Sequence, residues 1–425
     1  MPSFEVAIVG GGLCGLSVAI ALKNRSIPFT VYEARSSFTE LGHGINIGPN
    51  ALEAFRLIDS SLGEAIYKLC TRNAPGKEDV WFQIRFGAPS GKHHDGELIM
   101  ELMSPPTGNM TVIRNELLQL LAEMAGLERA RFNKKLVELS QDSSGVTLHF
   151  ADSTQAHATV LIASDGIHSA ARRAVLGASN PATEALYSGM GAYRAVVPMS
   201  VLSSSIGHEQ ARTSQIYLGP GAYVIMYPIE RGKKVNVGFW PWRREPWHLR
   251  EWTLPGQRIE MERDFAKWGA TVHKIMNVMG DPSFFATHHH TVQPESLVEG
   301  RVCLIGDAAH SMPPHQGAGA GQAMEDAYVI AELLSKVDRQ KPIQRQIDAA
   351  FKGYEAVRKQ RSAKVAETSQ EAMDWWTGFY NEDVSDEKIE QFTREADEKF
   401  RWIWHDDIAG QARSAIKIME QLLEL

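Results

Sequence analysis

A short apolar run from Glu5 to Val9 breaks at Gly10-Gly11-Gly12 and gives way to Leu13–Leu22, where apolar residues recur at helical spacing. A second β-rich run follows from Pro28 to Glu33. Strand, glycine turn, helix and strand in this order commit the N-terminus to a parallel α/β sheet, because parallel neighbours need a crossover between them. Within the turn, Gly10-x-Gly12-x-x-Gly15 is spaced for an anion. Gly10 permits the tight turn, Gly12 lets the backbone approach a pyrophosphate, and Gly15 lets the helix pack close to the sheet, while the helix N-terminus offers oriented N–H groups. Glu33, ending the next strand, can accept hydrogen bonds from ribose hydroxyls. This constellation predicts a bound dinucleotide and does not by itself distinguish FAD from NAD.

The chain of 425 residues exceeds the size at which one core usually stops growing, so two or more packed parts are expected. With 44% hydrophobic and 22% charged residues and a net charge of −7, it has the composition of a globular protein and lacks the basic footprint of a nucleic-acid binder. Cys14, Cys70 and Cys303 are too scattered for a disulfide framework or a Cys-rich zinc site, which points to a reducing compartment. No apolar run approaches the ~18 residues of a membrane span, and the first apolar stretch lacks the flanks of a signal peptide. The expectation is a cytoplasmic protein without membrane or nucleic-acid partners.

Further along, strand-like Thr111-Val112-Ile113 leads into a helix over Arg114–Glu123, and Lys135–Leu139 pairs with Val146–Phe150 as a hairpin. From about Ala185 to Ala286, β-rich runs (191–197, 214–218, 223–228 and 234–240) alternate with Gly and Pro turns, which reads as a mostly antiparallel second sheet. Arg301–Ile305 restores the buried-strand-then-glycine pattern, Gly321–Leu334 has helical spacing, and the tail from about Ile343 is helical with Trp375, Trp376, Trp402 and Trp404 as anchors. The expected division is a discontinuous cofactor domain (1–75, 105–182 and 287–340), an inserted substrate sheet (76–104 and 183–286) and a C-terminal helical region (341–425).

Two more motifs carry chemistry. Val302–Ile305 ends in Gly306-Asp307, where a carboxylate can bind a polyol, and leads to the glycine-rich 313–322 segment, whose backbone N–H groups can reach a flavin ring. Alone, this also reads as an Asp-capped turn and a linker. Leu161–Ala163 leads to Asp165-Gly166, with Ser169 and Arg172 near the start of a helix, so one surface offers a turn and an anion-binding side chain, or merely a cap. The triplet His288-His289-His290 is no metal site, since neighbours on a strand alternate faces and no carboxylate or Cys has matching spacing.

Together the three motifs resemble those of the single-component FAD-dependent aromatic hydroxylases, the group of para-hydroxybenzoate and salicylate hydroxylases. The stretch Gly306–Asp326 is particularly similar to fungal salicylate-hydroxylase-like and polyketide phenol hydroxylases. The resemblance implies a Rossmann-like FAD domain with an inserted antiparallel sheet. Gly10, Gly12, Gly15, Glu33, Arg35 and Arg114 would hold the ADP half, and Asp307 the ribityl chain. Gly317, Gly319 and Ala320 would face the isoalloxazine, which Gly44 and Ile45 would pass closely, and Asp165 would serve both FAD and the transient visit of NADPH or NADH. The segment around His288–Gln293 departs from the family's usual Arg or Asp followed by Pro-Leu and Trp, so nicotinamide docking is expected to differ.

The implied reaction hydroxylates a phenolic aromatic, either a small salicylate-like acid or a larger polyketide phenol, with O2 carried as a flavin C4a-hydroperoxide. The phenolate would be held by Arg194 and Tyr227, by resemblance to an Arg and Tyr pair of fungal dearomatising hydroxylases, with His315 as a proton relay. A homodimer is kept open. Two other readings remain at this point: a flavin oxidoreductase without oxygen insertion, and a cofactor-free binding protein on the same scaffold.

Overall fold

The computed structural model describes residues 4–39, 44–243 and 245–424. The N-terminal motif folds as its pattern dictates: strand Val6–Val9, helix Leu13–Asn24 and strand Phe29–Tyr32, with Val9 in register with both Tyr32 and Ala163. Every residue of Val6–Val9 and Val160–Ala163 is buried, as expected of parallel strands covered on both faces. The sheet runs Val298–Glu299, Val302–Leu304, Val160–Ala163, Val6–Val9, Phe29–Tyr32 and Ala130–Arg131, parallel except at the first pair. Val6–Val9 has its chain successor on one side and the later strands on the other, so strand order reverses there and opens a crevice at the C-terminal edge.

The expected hairpin is present as Leu136–Gln141 and Val146–Phe150, and Gln155–Ala158 adds a third strand. The helix expected after Ile113 spans Arg114–Ala125. The second sheet has eight strands in the order Thr253–Leu254, Ser283–His290, Ala185–Pro198, Lys234–Pro241, Ala222–Ile229, Gln215–Gly219, Val80–Phe86 and Leu98–Met103, antiparallel apart from the Gln215–Gly219 and Val80–Phe86 pair. The triple histidine ends the strand Ser283–His290, so the boundary expected between 286 and 287 falls inside an element of the large sheet.

Beyond helix Gly319–Ser335, the tail forms helices Ile343–Gly378, Asp386–Trp404 and Ile408–Glu424. Ser385 caps the second by accepting from the Lys388 N–H, with Asp386 and Glu387 in the first turn where the helix dipole favours negative charge. The tail joins both sheets: Trp376, Phe400 and Trp404 pack with Trp81 and Phe82 of the large sheet, whereas Ile408, Ala412 and Met419 pack into the core of the parallel one. Of the expected anchors, Trp376 and Trp404 are buried and Trp375 and Trp402 half-buried.

Candidate active site

The loops after Val9, Tyr32, Ala163 and Leu304 leave the parallel sheet at one edge and open on a cleft of about 890 Å³, near the upper end of small-molecule sites. Gly10 has φ +97°, and a Cβ there would lie 2.3 Å from the Ser164 carbonyl oxygen, so only glycine fits. A Cβ on Gly15 would meet the Gly10 carbonyl oxygen at 2.0 Å, which is the close helix–strand packing the motif predicts. Helix Leu13–Asn24 starts at Gly12 and helix Gly319–Ser335 at Ala318, neither with a side-chain cap. Both N-termini line the cleft, so unsatisfied N–H groups and positive dipole ends are available to a pyrophosphate or an anionic ring.

Glu33, Arg35 and Arg114 line the same cleft. The Glu33 carboxylate is held by the Gly11 N–H at 2.7 Å and the Arg35 N–H at 2.8 Å. Asp307 is exposed to the cleft while Ile305, Gly306 and Ala308 are buried, so the turn aims a single carboxylate inward. Asp165 accepts from Ser169 Oγ at 2.5 Å and from the Ala170 N–H at 2.8 Å. Burial pushes its carboxyl up, and those hydrogen bonds oppose the shift. Gly44, Ile45, Gly317, Gly319 and Ala320 complete this end, and the described residues thus suit FAD.

The large sheet supplies the other end. Register sets Arg194 opposite Gly238, Gly238 opposite Ile225, and Tyr227 opposite Asn236, so these side chains fall in two adjacent rows on one face. All five, with Trp240, Phe285, Thr287, Met312 and Pro314, line the cleft. Tyr227 donates its hydroxyl to the Gly44 carbonyl oxygen at 2.8 Å. Burial raises its pKa, and the neighbouring Arg194 guanidinium pulls it back. Arg194 also lies 5.8 Å from the Phe285 ring centre, within cation–π range. Gly15 packs behind the cleft rather than lining it.

His315 is placed differently from the rest. It is buried and faces a smaller chamber behind the large-sheet end, with Nδ1 2.8 Å from the Tyr223 hydroxyl. Burial pushes its pKa down to about 3, so it stays neutral. Arg172, expected at the surface as an anion ligand, is fully buried instead: it donates to the carbonyl oxygens of Ala182, Ala308 and Ala309 and fastens the Asp307 turn. Sequence reasoning also missed Asn236, Gly238, Trp240 and Phe285. Their two-residue alternation was visible, but the pairing that puts them beside Arg194 was not. Of the triple histidine, His288 stacks on Trp252 at 3.8 Å and His290 Nδ1 bonds Ser311 Oγ at 2.7 Å.

With that geometry, the chain belongs to the family whose model, described as FAD binding domain, matches residues 3–369. It is an FAD-dependent aromatic monooxygenase that uses a reduced nicotinamide and O2 on a small aromatic substrate. It is 34% identical to 6-methylsalicylate 1-monooxygenase of Aspergillus terreus over 99% of this chain and 93% of that protein. It is 33% identical to salicylate hydroxylase of Pseudomonas putida over 95% and 93%. A solved salicylate hydroxylase substrate complex superposes with a TM-score of 0.85 at 30% identity, covering 97% of this chain and 98% of the other. Klebsiella pneumoniae HpxO complexed with FAD and uric acid gives 0.74 at 26% identity, covering 97% of each. These likenesses favour oxygenation over the readings as a non-oxygenating oxidoreductase or a cofactor-free carrier. Among the described residues no helix is long and apolar enough to cross a membrane.

Proposed function

We propose that this enzyme hydroxylates a small phenol bound as its anion between Arg194 and Tyr227, with FAD along the edge of the parallel sheet on the Gly10, Glu33, Arg114, Asp165, Asp307 and Gly317–Ala320 residues. The observation carrying this reading is the register that brings Arg194 and Tyr227 together at the large-sheet end of the cleft. A phenolate is far more electron-rich at its ortho and para carbons than the neutral phenol, so the half-buried Arg194 guanidinium, by favouring the anion, lowers the barrier. Tyr227 assists by swinging its hydroxyl proton from the Gly44 carbonyl to the phenolate oxygen. Bound FAD, reduced by NAD(P)H, supplies the electrons that turn O2 into an electrophilic oxygen donor. Ile225, Trp240, Phe285, Met312 and Pro314 keep water from the reacting carbon.

His315 is neutral and turned to the side chamber, so the proton relay expected of it is not part of this reading. His168 and Arg173, exposed beside Asp165 and Gly166 on the same cleft, support a transient nicotinamide visit there. In this reading the domain limits are kept as expected except the one between 286 and 287, which is moved beyond His290, where the strand ends. Two relatives carry salicylate in their names, which makes ortho-substituted phenols the first panel to test. Arg194→Ala should keep its flavin colour while NAD(P)H-dependent hydroxylation falls by about 100-fold or more. Near-normal turnover in that variant would remove Arg194 from the reaction.

A further inference from the structure

We infer that the small chamber behind the cleft is a subsite for a neutral carbonyl oxygen on the ring of the phenol, read by the Nε2–H of His315 and the Nε1–H of Trp240. This deepens the proposed phenol chemistry and rests on it.

The chamber measures about 40 Å³, room for one small group. It shares Asn46, Ile225, Trp240 and Pro314 with the main cleft, and Trp81 and Trp376 form part of its apolar wall. Two buried nitrogens there have no partner among the described residues: His315 Nε2 and Trp240 Nε1. The two rings stand 5.6 Å apart and nearly perpendicular, at 74°. A Cβ built on Gly238 would lie 3.0 Å from Trp240 Nε1, which places that nitrogen by the row where Gly238 faces Arg194.

Hydrogen-bond counting fixes what these nitrogens offer. Trp240 Nε1 can only donate. If Tyr223 donates to His315 Nδ1, the hydroxyl proton is used and Nε2 carries the imidazole proton. The other tautomer leaves both the Tyr223 proton and the Nε2 lone pair without partners, and is disfavoured. The chamber therefore presents two buried N–H donors that no acceptor of the described residues meets, whereas buried donors in native proteins are paired. A carbonyl or carboxylate oxygen fits.

Charge separates those two. Among the described residues lining the large-sheet end, Arg194 supplies the cation and is matched by the phenolate. Tyr223 and His315 are both held neutral by burial. A carboxylate at the chamber would be a second buried anion with only neutral donors, which is costly, whereas an aldehyde, ketone or amide oxygen brings no net charge. The enzyme is thus built to prefer a phenol with a neutral carbonyl substituent over the corresponding acid.

The test is binding of 2-hydroxybenzaldehyde, 2-hydroxyacetophenone, 2-hydroxybenzoate and phenol to the FAD-loaded enzyme, read from the flavin absorbance change, followed by product analysis with NAD(P)H. The carbonyl compounds should bind about tenfold more tightly than phenol and than the acid. Trp240→Phe, which keeps the ring, and His315→Phe should each shrink the carbonyl-to-phenol ratio of Kd values by about three- to tenfold. An unchanged ratio in Trp240→Phe, or tighter binding of the acid, overturns the subsite while leaving phenol hydroxylation standing. Failure to hydroxylate any of the four would overturn the phenol reading, and the subsite with it.

Discussion

Tyr227 touches the strand Gly44–Ile47 through its hydroxyl and its ring edge, and Gly44 makes room for it. A Cβ on Gly44 would lie 2.9 Å from Tyr227 Cε2 and 2.7 Å from Ile229 Cγ2, both closer than side chains tolerate. Gly44→Ala should push the Tyr227 ring aside without touching Arg194. Misplacement of a positioning group by about 1 Å can cost roughly 10- to 100-fold, so kcat/KM should drop in that range. Flavin content, measured by absorbance, should stay close to that of the unsubstituted enzyme. Normal kinetics in Gly44→Ala would show that Tyr227 has slack and is not held by this contact.

The elements around Asp307 are held by buried charge. Asp326, inside helix Gly319–Ser335, accepts from the Gly306 N–H at 2.9 Å, from His310 Nε2 at 2.6 Å and from Arg358 Nε at 2.7 Å. Burial alone would push its carboxyl up, but His310 and Arg358 more than reverse this and hold it well below the usual carboxylate range. Arg358 also meets Glu325 at 2.5 Å, and Glu325 is held in turn by Asn50 at 2.8 Å and Arg361 at 2.6 Å. The long C-terminal helix therefore grips the base of the turn that carries Asp307, where Gly306 adopts φ +57° and ψ −144°. Removing one partner of such a network strands buried charge, so Arg358→Met should lose about 3–5 kcal/mol in urea unfolding and shed FAD more readily. Arg358→Lys should fall between, because an ammonium cannot reproduce the forked contacts. A loss under about 1 kcal/mol would mean the two carboxylates find compensation elsewhere.

Across the whole molecule, burial has neutralised several histidines. Burial pushes His289 down to about 4, and His290 and His315 down to about 3. In the unfolded chain each titrates near its ordinary value of about 6.5. Between those values the unfolded state takes up protons that the folded state refuses, so stability is complete above about pH 6.5 and declines as pH falls. Each histidine contributes at most about 1.4 kcal/mol per pH unit in that window. Asp326 and Glu325, whose pKa values are lowered, lose their contribution only below the ordinary carboxylate range of about 4, so the two effects separate. Urea midpoints should hold steady down to about pH 6.5 and then fall toward about pH 5. A midpoint unchanged over that interval would mean these rings protonate without disturbing the fold.

The N-terminal strand, turn and helix, the Gly306-Asp307 turn, the Asp165-Gly166 turn and the helical tail were legible in the residues themselves. Each depends on local chemistry: backbone conformations open to glycine, side-chain period and helix ends. The partnership of Arg194 with Tyr227 and Gly238 depends on how strands far apart in the chain are aligned, and a shift of one residue would turn every side chain to the opposite face. The direction in which His315 points and the burial of Arg172 under Ala308 and Ala309 were likewise settled by packing between distant layers. Local sequence thus determined which turns could hold a dinucleotide. The family resemblance pointed to Arg194 and Tyr227, but only the tertiary structure decided which side chains share the large-sheet end of the cleft with them, because pairing and layer contacts are made between residues that carry no information about one another's neighbours.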